Sequence, residues 1–216
     1  MGRCQLSQFD YNLFSGSPEA VRLYQRKYVS YFKKGDKVLD VGCGEGDFLE
    51  LLKDAGVEAV GLERSESMLS KLRKKSLNIV QGDAREFLKS KASTYNGIFC
   101  AHLIEHLTPE EALNFLGDAF GALRPGGILI VITPNFRSIE VMGERFWLDL
   151  THTRPYPLSI LKEMTQFAGF EIVRSGFDRD TGRAERRFSP RYILKKLRFG
   201  EYYAQGDTFM IACKRQ

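Results

Sequence analysis

An apolar run that leads into closely spaced glycines, at residues 38–46 (VLDVGCGEG), constrains the fold of this 216-residue chain more than any other feature. The apolar residues predict a buried strand, and Gly42, Gly44 and Gly46 predict a tight turn that opens a helix at residues 47–48. Glycine adopts backbone conformations closed to other residues and lets a ligand approach the main chain. In a doubly wound sheet such a turn lies at the carboxyl end of the first strand, where nucleotides bind.

Short apolar runs rich in β-branched residues alternate with longer amphipathic stretches along the rest of the chain. Strands are predicted at residues 37–41, 59–62, 78–80, 97–101 and 128–133, and helices at 18–32, 48–55, 66–74, 110–123 and 158–168. This alternation predicts an α/β fold with a mainly parallel sheet covered on both faces. Residues 170–177 and 207–214 predict a final antiparallel strand pair joined by an irregular basic arm.

The composition is that of a soluble globular protein, with 43% hydrophobic and 27% charged residues. No apolar run is long enough to cross a bilayer, and the first residues lack the apolar core of a secretory signal. The four cysteines are far apart and form no CxxC pair, so we expect a reducing cytoplasm and no disulfide framework. The three histidines lack HExxH spacing, and we expect no bound metal.

Two acidic residues follow the next predicted strands. Glu63 ends the second strand about twenty residues beyond Gly42, where a carboxylate can accept both hydrogen bonds from a ribose diol. Asp83, within residues 81–84 (QGDA), follows the third strand. It can accept a hydrogen bond from an adenine amino group, or cap the helix that begins near Ala84, or do both. Residues 123–127 (LRPGG) predict a tight reversal from helix to strand.

Four features carry a resemblance to a known family: VLDVGCGEG, the acidic end of the second strand, GDA and LRPGG. In this order and spacing, they resemble the class I, Rossmann-like S-adenosylmethionine-dependent methyltransferases over residues 37–133. The resemblance implies a three-layer fold with a mainly parallel seven-stranded sheet and one antiparallel strand. It implies S-adenosylmethionine as cofactor and S-adenosylhomocysteine as product. The residues expected around the cofactor are Tyr11, Asp40, Gly42, Cys43, Gly44, Glu63, Arg64, Asp83, Ala84, Ala101 and His102. A nicotinamide-dependent dehydrogenase, the nearest alternative, has G-x-G-x-x-G spacing instead.

Two segments that mix aromatic and polar residues, at 9–17 and 146–157, indicate a subgroup within this family. With residues 104–107 (IEHL) and 133–135 (TPN), they are similar to a bacterial group that includes the methyltransferase domain of O-antigen chain-terminating enzymes. That group has an arginine, a glutamate and a proline where this chain has Ser15, Ile132 and Leu150. The resemblance implies a glycan, a phosphorylated sugar or another small acceptor, and these departures leave the acceptor open.

A hydroxyl acceptor needs a base near neutral pH, and His106 and His152 are the candidates because histidine titrates in this range. Glu105 or Asp149 would orient an imidazole or hold a sugar hydroxyl. Each histidine could equally be a packing or capping residue. An ionised phosphate acceptor would need no base, and Arg154 would then bind it through its guanidinium. The chain lacks the Asn/Asp-Pro-Pro-Tyr element of many amino-group methyltransferases, which favours an oxygen acceptor.

The net charge of +5 is concentrated between Arg179 and Gly200, where eight basic residues accompany two acidic ones. Three interpretations stay open for this basic arm. It is a solvated surface with Ile193, Leu194 and Leu197 packed inward, or a docking site for an acidic or lipid-linked substrate at a membrane, or an RNA-binding segment. A non-catalytic protein that binds S-adenosylmethionine is the alternative to an enzyme.

We expect one domain with four parts. They are a helical lid segment (1–36), the core (37–177), a basic insertion (178–200) and a final strand (201–216). The expected location is the cytoplasm, with a peripheral membrane contact through the basic arm.

Overall fold

A computed structural model describes residues 17–179, 190–200 and 205–215. The strands are β1 (Lys37–Val41), β2 (Glu58–Glu63), β3 (Ile79–Gln81), β4 (Tyr95–Ala101), β5 (Leu123–Thr133), β6 (Glu171–Arg179) and β7 (Gln205–Cys213). The α-helices are α1 (Pro18–Gln25), α2 (Asp47–Asp54), α3 (Glu66–Leu72), α4 (Ala84–Lys89), α5 (Pro109–Ala122), α6 (Ile139–Gly143), α7 (Leu158–Phe167) and α8 (Pro190–Phe199). Short 3-10 helices lie at Arg26–Tyr31, Ile104–His106 and Arg145–Leu148.

The seven strands form one sheet in the order β3-β2-β1-β4-β5-β7-β6. Strands β1 to β5 pair in parallel, whereas β7 runs antiparallel to both β5 and β6. The predicted fold class, a mainly parallel seven-stranded sheet with one antiparallel strand, is confirmed. Because the chain order reverses between β1 and β4, the carboxyl ends of these two strands border the crevice in which ligands of open α/β sheets bind.

Neighbouring residues of the central strands face opposite layers of helices. Leu39 belongs to the same buried cluster as Phe115 of α5, whereas Val38 packs in the cluster that contains Phe48 of α2. Both strand residues are fully buried. A parallel sheet covered on both faces needs apolar residues at consecutive positions, which is why this part of the sequence has no polar alternation. Among the described residues, no helix has the length and apolar character needed to span a membrane.

The predicted continuous helix over residues 18–32 is instead α1 followed by the 3-10 helix Arg26–Tyr31. Tyr28 lies in this tighter turn, is 2% exposed and donates a hydrogen bond to Asp178 of β6 at 2.6 Å. Lys27 forms an ion pair with the same carboxylate. The α-helix therefore changes to a 3-10 helix where Lys27 and Tyr28 bind the buried Asp178 carboxylate. These contacts hold the N-terminal segment to β6, at the edge of the sheet.

The start of β5 also differs from the prediction. The strand begins at Leu123 rather than at residue 128, because Leu123 already pairs with Tyr95 before the ladder shifts to Ile128 opposite Gly97. Between these pairs Gly126 adopts a φ of +77°, and its N–H donates to the carbonyl of Lys214 at 2.8 Å. The Arg-Pro-Gly-Gly segment is therefore a bulge within the strand, and the reversal from α5 precedes it.

The irregular basic arm predicted before the last strand is partly wrong, because residues 190–199 form α8. A proline at the first helical position followed by good helix formers accounts for it. The inward packing predicted for its apolar residues is also wrong, since Ile193, Leu194 and Leu197 are 46%, 66% and 78% exposed. The other predicted residues of the arm, 180–189, lie outside the described residues.

Gly97 of β4 allows the buried ring of Phe32 to lie directly on the sheet. A Cβ atom at Gly97 would lie 2.7 Å from Cδ1 of Phe32, closer than real contacts. We expect Gly97→Ala to lower the free energy of unfolding by about 1–3 kcal/mol through overpacking. Urea unfolding measures this change.

Gly117→Ala is the matched control for this substitution. Gly117 lies in α5, and a Cβ atom there would meet nothing within 4 Å. Because alanine has the higher helix propensity, Gly117→Ala should raise stability by up to about 1 kcal/mol. Equal effects of the two substitutions would contradict the steric explanation.

Candidate active site

The glycine-rich turn after β1 is fastened to the end of β2 by backbone hydrogen bonds. The N–H groups of Gly42 and Cys43 both donate to the carbonyl of Leu62, at 2.8 and 3.2 Å. Gly42, Gly44 and Gly46 have φ values of +71°, +54° and +83°, which explains why glycine occupies all three positions. A Cβ atom at Gly44 would meet nothing within 4 Å, so the turn leaves open space on that side. This space suits a ligand that approaches the backbone.

Glu63 connects the same turn to the start of the next loop. Its Oε2 accepts a hydrogen bond from the N–H of Gly44 at 3.0 Å, and its Oε1 accepts from the N–H groups of Arg64 and Ser65 at 2.8 and 2.7 Å. A carboxylate has about four acceptor positions, so Glu63 retains capacity for a ligand hydroxyl. The side chain is thereby held in one orientation at the carboxyl end of β2.

Asp40 lies beneath the turn and is 3% exposed. Burial raises the pKa of its carboxyl well above the usual value, and the negative charges of Glu63 and Asp47 add to this effect. A positively charged ligand group next to this carboxyl would reverse that tendency. The sulfonium and amino groups of S-adenosylmethionine carry such charges.

Asp83 caps α4, as one of the two interpretations of the sequence predicted. Its carboxylate accepts from the N–H of Arg85 at 3.0 Å, and the Arg85 side chain binds the same group. Hydrogen bonding to the Arg85 side chain lowers the pKa of Asp83. Arg85 also contacts Glu111 of α5 at 2.6 Å, and Glu111 closes the capping box with Thr108. Asp83, Arg85 and Glu111 thus join the two helices that border the cleft.

A cleft opens at the carboxyl edge of β1 and β2 and encloses about 670 Å³, including its solvent-exposed mouth. Its apolar lining consists of Val41, Leu62, Leu103, Leu107 and Phe115, with Arg64, Asp83, Arg85, His106 and Glu111 among its polar lining residues. A mainly apolar wall with a few oriented polar groups is typical of cofactor sites. The lining of the cleft therefore suits a nucleoside-containing ligand.

The structure places four of the predicted cofactor residues in the lining of this cleft. Gly42, Arg64, Asp83 and Ala84 line it directly. The remaining described residues of the predicted set, including Asp40, Cys43, Gly44, Glu63, Ala101 and His102, lie in or beside the turn and strand ends around it. Tyr11 falls outside the described residues.

His102 follows β4 in a left-handed conformation, with a φ of +55°. Its Nδ1 lies 3.3 Å from Oε1 of Glu105, and its Nε2 lies 3.2 Å from Oδ2 of Asp207 on β7. Burial opposes the charged imidazole, but the attraction of Asp207 and Glu105 outweighs it and raises the pKa of His102. Because the side chain is 44% exposed, solvent screens part of this attraction.

His106 and His152 lie side by side, with ring centroids 4.7 Å apart. Nδ1 of His152 lies 2.6 Å from the carbonyl oxygen of Phe146. Because a carbonyl only accepts hydrogen bonds, this nitrogen carries the proton. Nδ1 of His106 lies 2.8 Å from Oγ1 of Thr151, whose own proton is donated to Asp149 at 2.7 Å. In both neutral rings the lone pair is therefore on Nε2.

Burial lowers the pKa of the His106 imidazole, and the adjacent His152 lowers it further, against the opposing charges of Glu105 and Asp149. His106 is therefore neutral at neutral pH. Glu105, which is fully buried, accepts a hydrogen bond at Oε2 from Oγ1 of Thr133 at 3.0 Å. Its Oε1 lies 3.3 Å from Nδ1 of His102 and has no aligned hydrogen-bond donor among the described residues.

The loop that carries His152 is docked onto the segment that carries His106. The N–H of Thr153 donates to the carbonyl of Glu105 at 2.8 Å, and the hydroxyls of Thr153 and Tyr156 donate to the carbonyl of Leu107 at 2.7 and 2.8 Å. Arg154 is on the same loop, where its guanidinium lies over the Tyr156 ring, 5.2 Å from the centroid. This docking brings the predicted catalytic residues together.

Three residues of the site were missed by the sequence analysis. Thr151 and Thr133 lie inside segments singled out there, but nothing in the sequence showed that they orient His106 and Glu105. Asp207 gave no signal, because β7 reaches His102 only through the antiparallel end of the sheet.

Comparison with known proteins agrees with this geometry. The profile of a family described as a methyltransferase domain matches residues 17–175. A probable S-adenosylmethionine-dependent methyltransferase of Mycolicibacterium smegmatis is 32% identical over 152 residues, which cover 69% of this chain and 57% of that protein. A ubiquinone biosynthesis O-methyltransferase of Aliivibrio fischeri is 30% identical over 107 residues, which cover 47% of this chain and 45% of that protein. The chain spans about half the length of these curated relatives.

Among solved structures, an S-adenosylmethionine-dependent methyltransferase from Archaeoglobus fulgidus has a TM-score of 0.80 and 30% identity, covering 95% of this chain and all of that one. A Haemonchus contortus phosphoethanolamine N-methyltransferase in complex with S-adenosylmethionine has a TM-score of 0.66 and 18% identity, covering 93% of this chain and 53% of that one, and shares the fold. The chain belongs to the methyltransferase-domain family. The cofactor expected from the sequence, S-adenosylmethionine, is confirmed at the level of this family.

We expect Glu63→Gln to weaken binding of S-adenosylmethionine about 10- to 100-fold, because a charge-assisted hydrogen bond contributes about 1.5–3 kcal/mol. Calorimetric titration of the purified protein measures the change. Glu58→Gln, on the exposed start of the same strand, is the control and should leave the affinity unchanged. Equal affinities of the wild type and Glu63→Gln would remove Glu63 from the cofactor site.

Proposed function

We propose that the protein transfers a methyl group from S-adenosylmethionine to an oxygen of a small acceptor of the glycan or phosphorylated-sugar class. The observation that carries the proposal is the pair of imidazoles, His106 and His152, at the edge of the cofactor cleft. His106 lines that cleft, and His152 lies beside it with its lone pair on Nε2. Such a pair is suited to accept a proton from a hydroxyl at neutral pH.

The cofactor would be held along the carboxyl edge of the parallel strands. Asp40, Gly42 and Gly44 would surround its methionine portion, and Glu63 would accept hydrogen bonds from the ribose. Asp83 and Ala84 would contact the adenine, since the carboxylate and the neighbouring N–H offer an acceptor and a donor. The open space at Gly44 and the one spare acceptor position of Glu63 support this placement.

S-adenosylmethionine supplies an electrophilic methyl group on a positively charged sulfur. In the transfer, the acceptor oxygen forms a bond to the methyl carbon while the carbon–sulfur bond breaks, and the electron pair stays on sulfur. Nε2 of His106 accepts the hydroxyl proton. The resulting imidazolium is stabilised by Asp149, because Thr151 links its Nδ1–H to that carboxylate. Apolar Leu103 and Leu107 exclude water from the same part of the cleft.

An oxygen acceptor is supported by relatives named as ubiquinone biosynthesis O-methyltransferases, including those of Aliivibrio fischeri. An acidic acceptor is supported by Arg154, which is exposed on the loop that carries His152 and lies over the Tyr156 ring. A guanidinium would bind a phosphate or carboxylate bidentately.

We expect His106→Gln to lower kcat/KM for the methyl acceptor about 100- to 10,000-fold, the range for loss of a positioned proton acceptor. A screen with labelled methyl groups on phosphosugars, glycans and RNA identifies the acceptor and provides the assay. Calorimetry should show unchanged affinity for S-adenosylmethionine. Undiminished turnover in the variant would exclude His106 as the proton acceptor, and cofactor binding without transfer to any acceptor would favour the non-catalytic alternative.

Helix α8 supports a peripheral contact with an acidic or lipid-linked substrate. Its sequence, PRYILKKLRF, has four basic residues and no acidic residue, and Ile193, Leu194 and Leu197 are exposed. A basic helix with an unburied apolar stripe is typical of segments that lie on anionic membrane surfaces. We infer that α8 brings the domain to such a surface.

Leu194→Asp together with Leu197→Asp should abolish cosedimentation with vesicles that contain phosphatidylglycerol, because the apolar face of α8 is lost. Wild-type binding should weaken as salt is raised and be absent on phosphatidylcholine vesicles. Phe167→Asp, at an 83% exposed apolar residue of α7, is the control and should bind normally. Binding to RNA but not to vesicles would contradict the membrane interpretation.

A further inference from the structure

Glu105, His106 and His152 form a cluster that has the ligand types of a metal site. One potential ligand atom from each of the three residues lies within 4.8 Å of the others. Two imidazoles and one carboxylate are a donor set that first-row divalent metals bind in proteins. The sequence predicts no metal, because it lacks the short CxxC and HExxH ligand spacings. His152 joins the cluster from a distant loop.

The protonation state of both rings favours metal binding. Nδ1 of His152 donates to a carbonyl, and Nδ1 of His106 donates to Thr151, so each Nε2 presents a lone pair. Metal-bound histidines commonly donate their other N–H to a carbonyl or carboxylate partner, which fixes the tautomer and the ring orientation. The hydrogen bonds of this site have that arrangement without any ion.

Glu105 provides a second, independent observation. Its side chain is fully buried, and among the described residues Oε1 has no hydrogen-bond partner, whereas Oε2 accepts from Thr133. A buried carboxylate oxygen without a partner is costly unless a cation or donor satisfies it. The imidazole of His102, whose Nδ1 lies 3.3 Å from Oε1, offsets part of this charge, but it is 44% exposed and is not aligned as a donor. A cation between Glu105 and the two imidazoles would complete the coordination of this oxygen.

We propose that Glu105, His106 and His152 bind a divalent first-row transition-metal ion of the Zn²⁺ or Co²⁺ type. Imidazole ligands select such ions over Mg²⁺, which prefers oxygen ligands and retains its water. Three protein ligands leave coordination positions open for an acceptor oxygen, as in catalytic zinc sites.

The catalytic role that we assign to the ion rests on the proposed methyl transfer, whereas its binding does not. His106 lines the cofactor cleft, so an oxygen bound to the ion would lie next to that cleft. The ion would bind the Nε2 lone pairs of His106 and His152, so that His106 could no longer accept the hydroxyl proton. It would lower the pKa of the bound hydroxyl itself, so that the proton leaves to solvent before the oxygen takes the methyl group.

Metal binding can be tested without any acceptor. Full-length protein is treated with a chelator, dialysed and titrated with ZnCl₂ by calorimetry, and with CoCl₂ by visible absorption. We expect one saturable equivalent of each ion and none of Mg²⁺. His106→Gln and His152→Asn should each weaken binding of Zn²⁺ by more than about tenfold, the lower bound for loss of an outer-shell partner.

Glu110→Gln, at an exposed carboxylate outside the cluster, is the control and should keep the full equivalent of Zn²⁺. Far-UV circular dichroism verifies that each variant is folded. Absence of saturable Zn²⁺ binding, or binding that survives in both His106→Gln and His152→Asn, would overturn the inference. Methyl transfer by chelated protein that binds no Zn²⁺ would leave the proposed function standing. Zn²⁺ binding without methyl transfer would leave the metal site standing.

Discussion

The fastening of the glycine turn to the end of β2 is the constraint on which the cofactor half of the structure depends. Gly42 and Cys43 donate to the Leu62 carbonyl, and Gly44 donates to the Glu63 carboxylate. These bonds use backbone groups that would otherwise be unpaired where β1 ends. They also fix the carboxylate beside the open space at Gly44. The same interactions therefore stabilise the turn and shape the site, which is why their positions are visible in the sequence.

The half of the site proposed for the acceptor depends on a different principle, the docking of one loop onto another through backbone carbonyls. Thr153 and Tyr156 satisfy the carbonyls of Glu105 and Leu107, where the chain after β4 leaves the sheet. Once the loop is docked, His152 lies beside His106, and Oγ1 of Thr151 lies within hydrogen-bond distance of Nδ1 of His106. Local geometry after β4 thus creates a polar, partly buried end to a mainly apolar cleft. Charge on the acceptor oxygen would develop at that end, next to groups that can stabilise it.

Much of the fold could be predicted because it depends on local patterns. Consecutive apolar residues mark the buried parallel strands, and glycines with positive φ mark the turn at Gly42. The helix α8 was missed although Ile193, Leu194 and Leu197 have helical spacing, because the basic residues around them were interpreted as an irregular arm. The bulge at Gly126 was misplaced because its partner, Lys214, is remote in sequence. The roles of Thr151 and Asp207 likewise depend on contacts between distant segments.

This division between local and distant determinants also explains how the two halves of the site relate to function. The half proposed for the cofactor is set by backbone geometry, and the family profile, which matches residues 17–175, spans both halves of the site. The acceptor half is set by side chains, namely the imidazole pair, Glu105 and the stacked Arg154. Three histidines and the carboxylates Glu105, Asp149 and Asp207 converge there from three parts of the chain. Such a concentration of ionisable groups costs folding energy, and groups of this kind collect at functional sites.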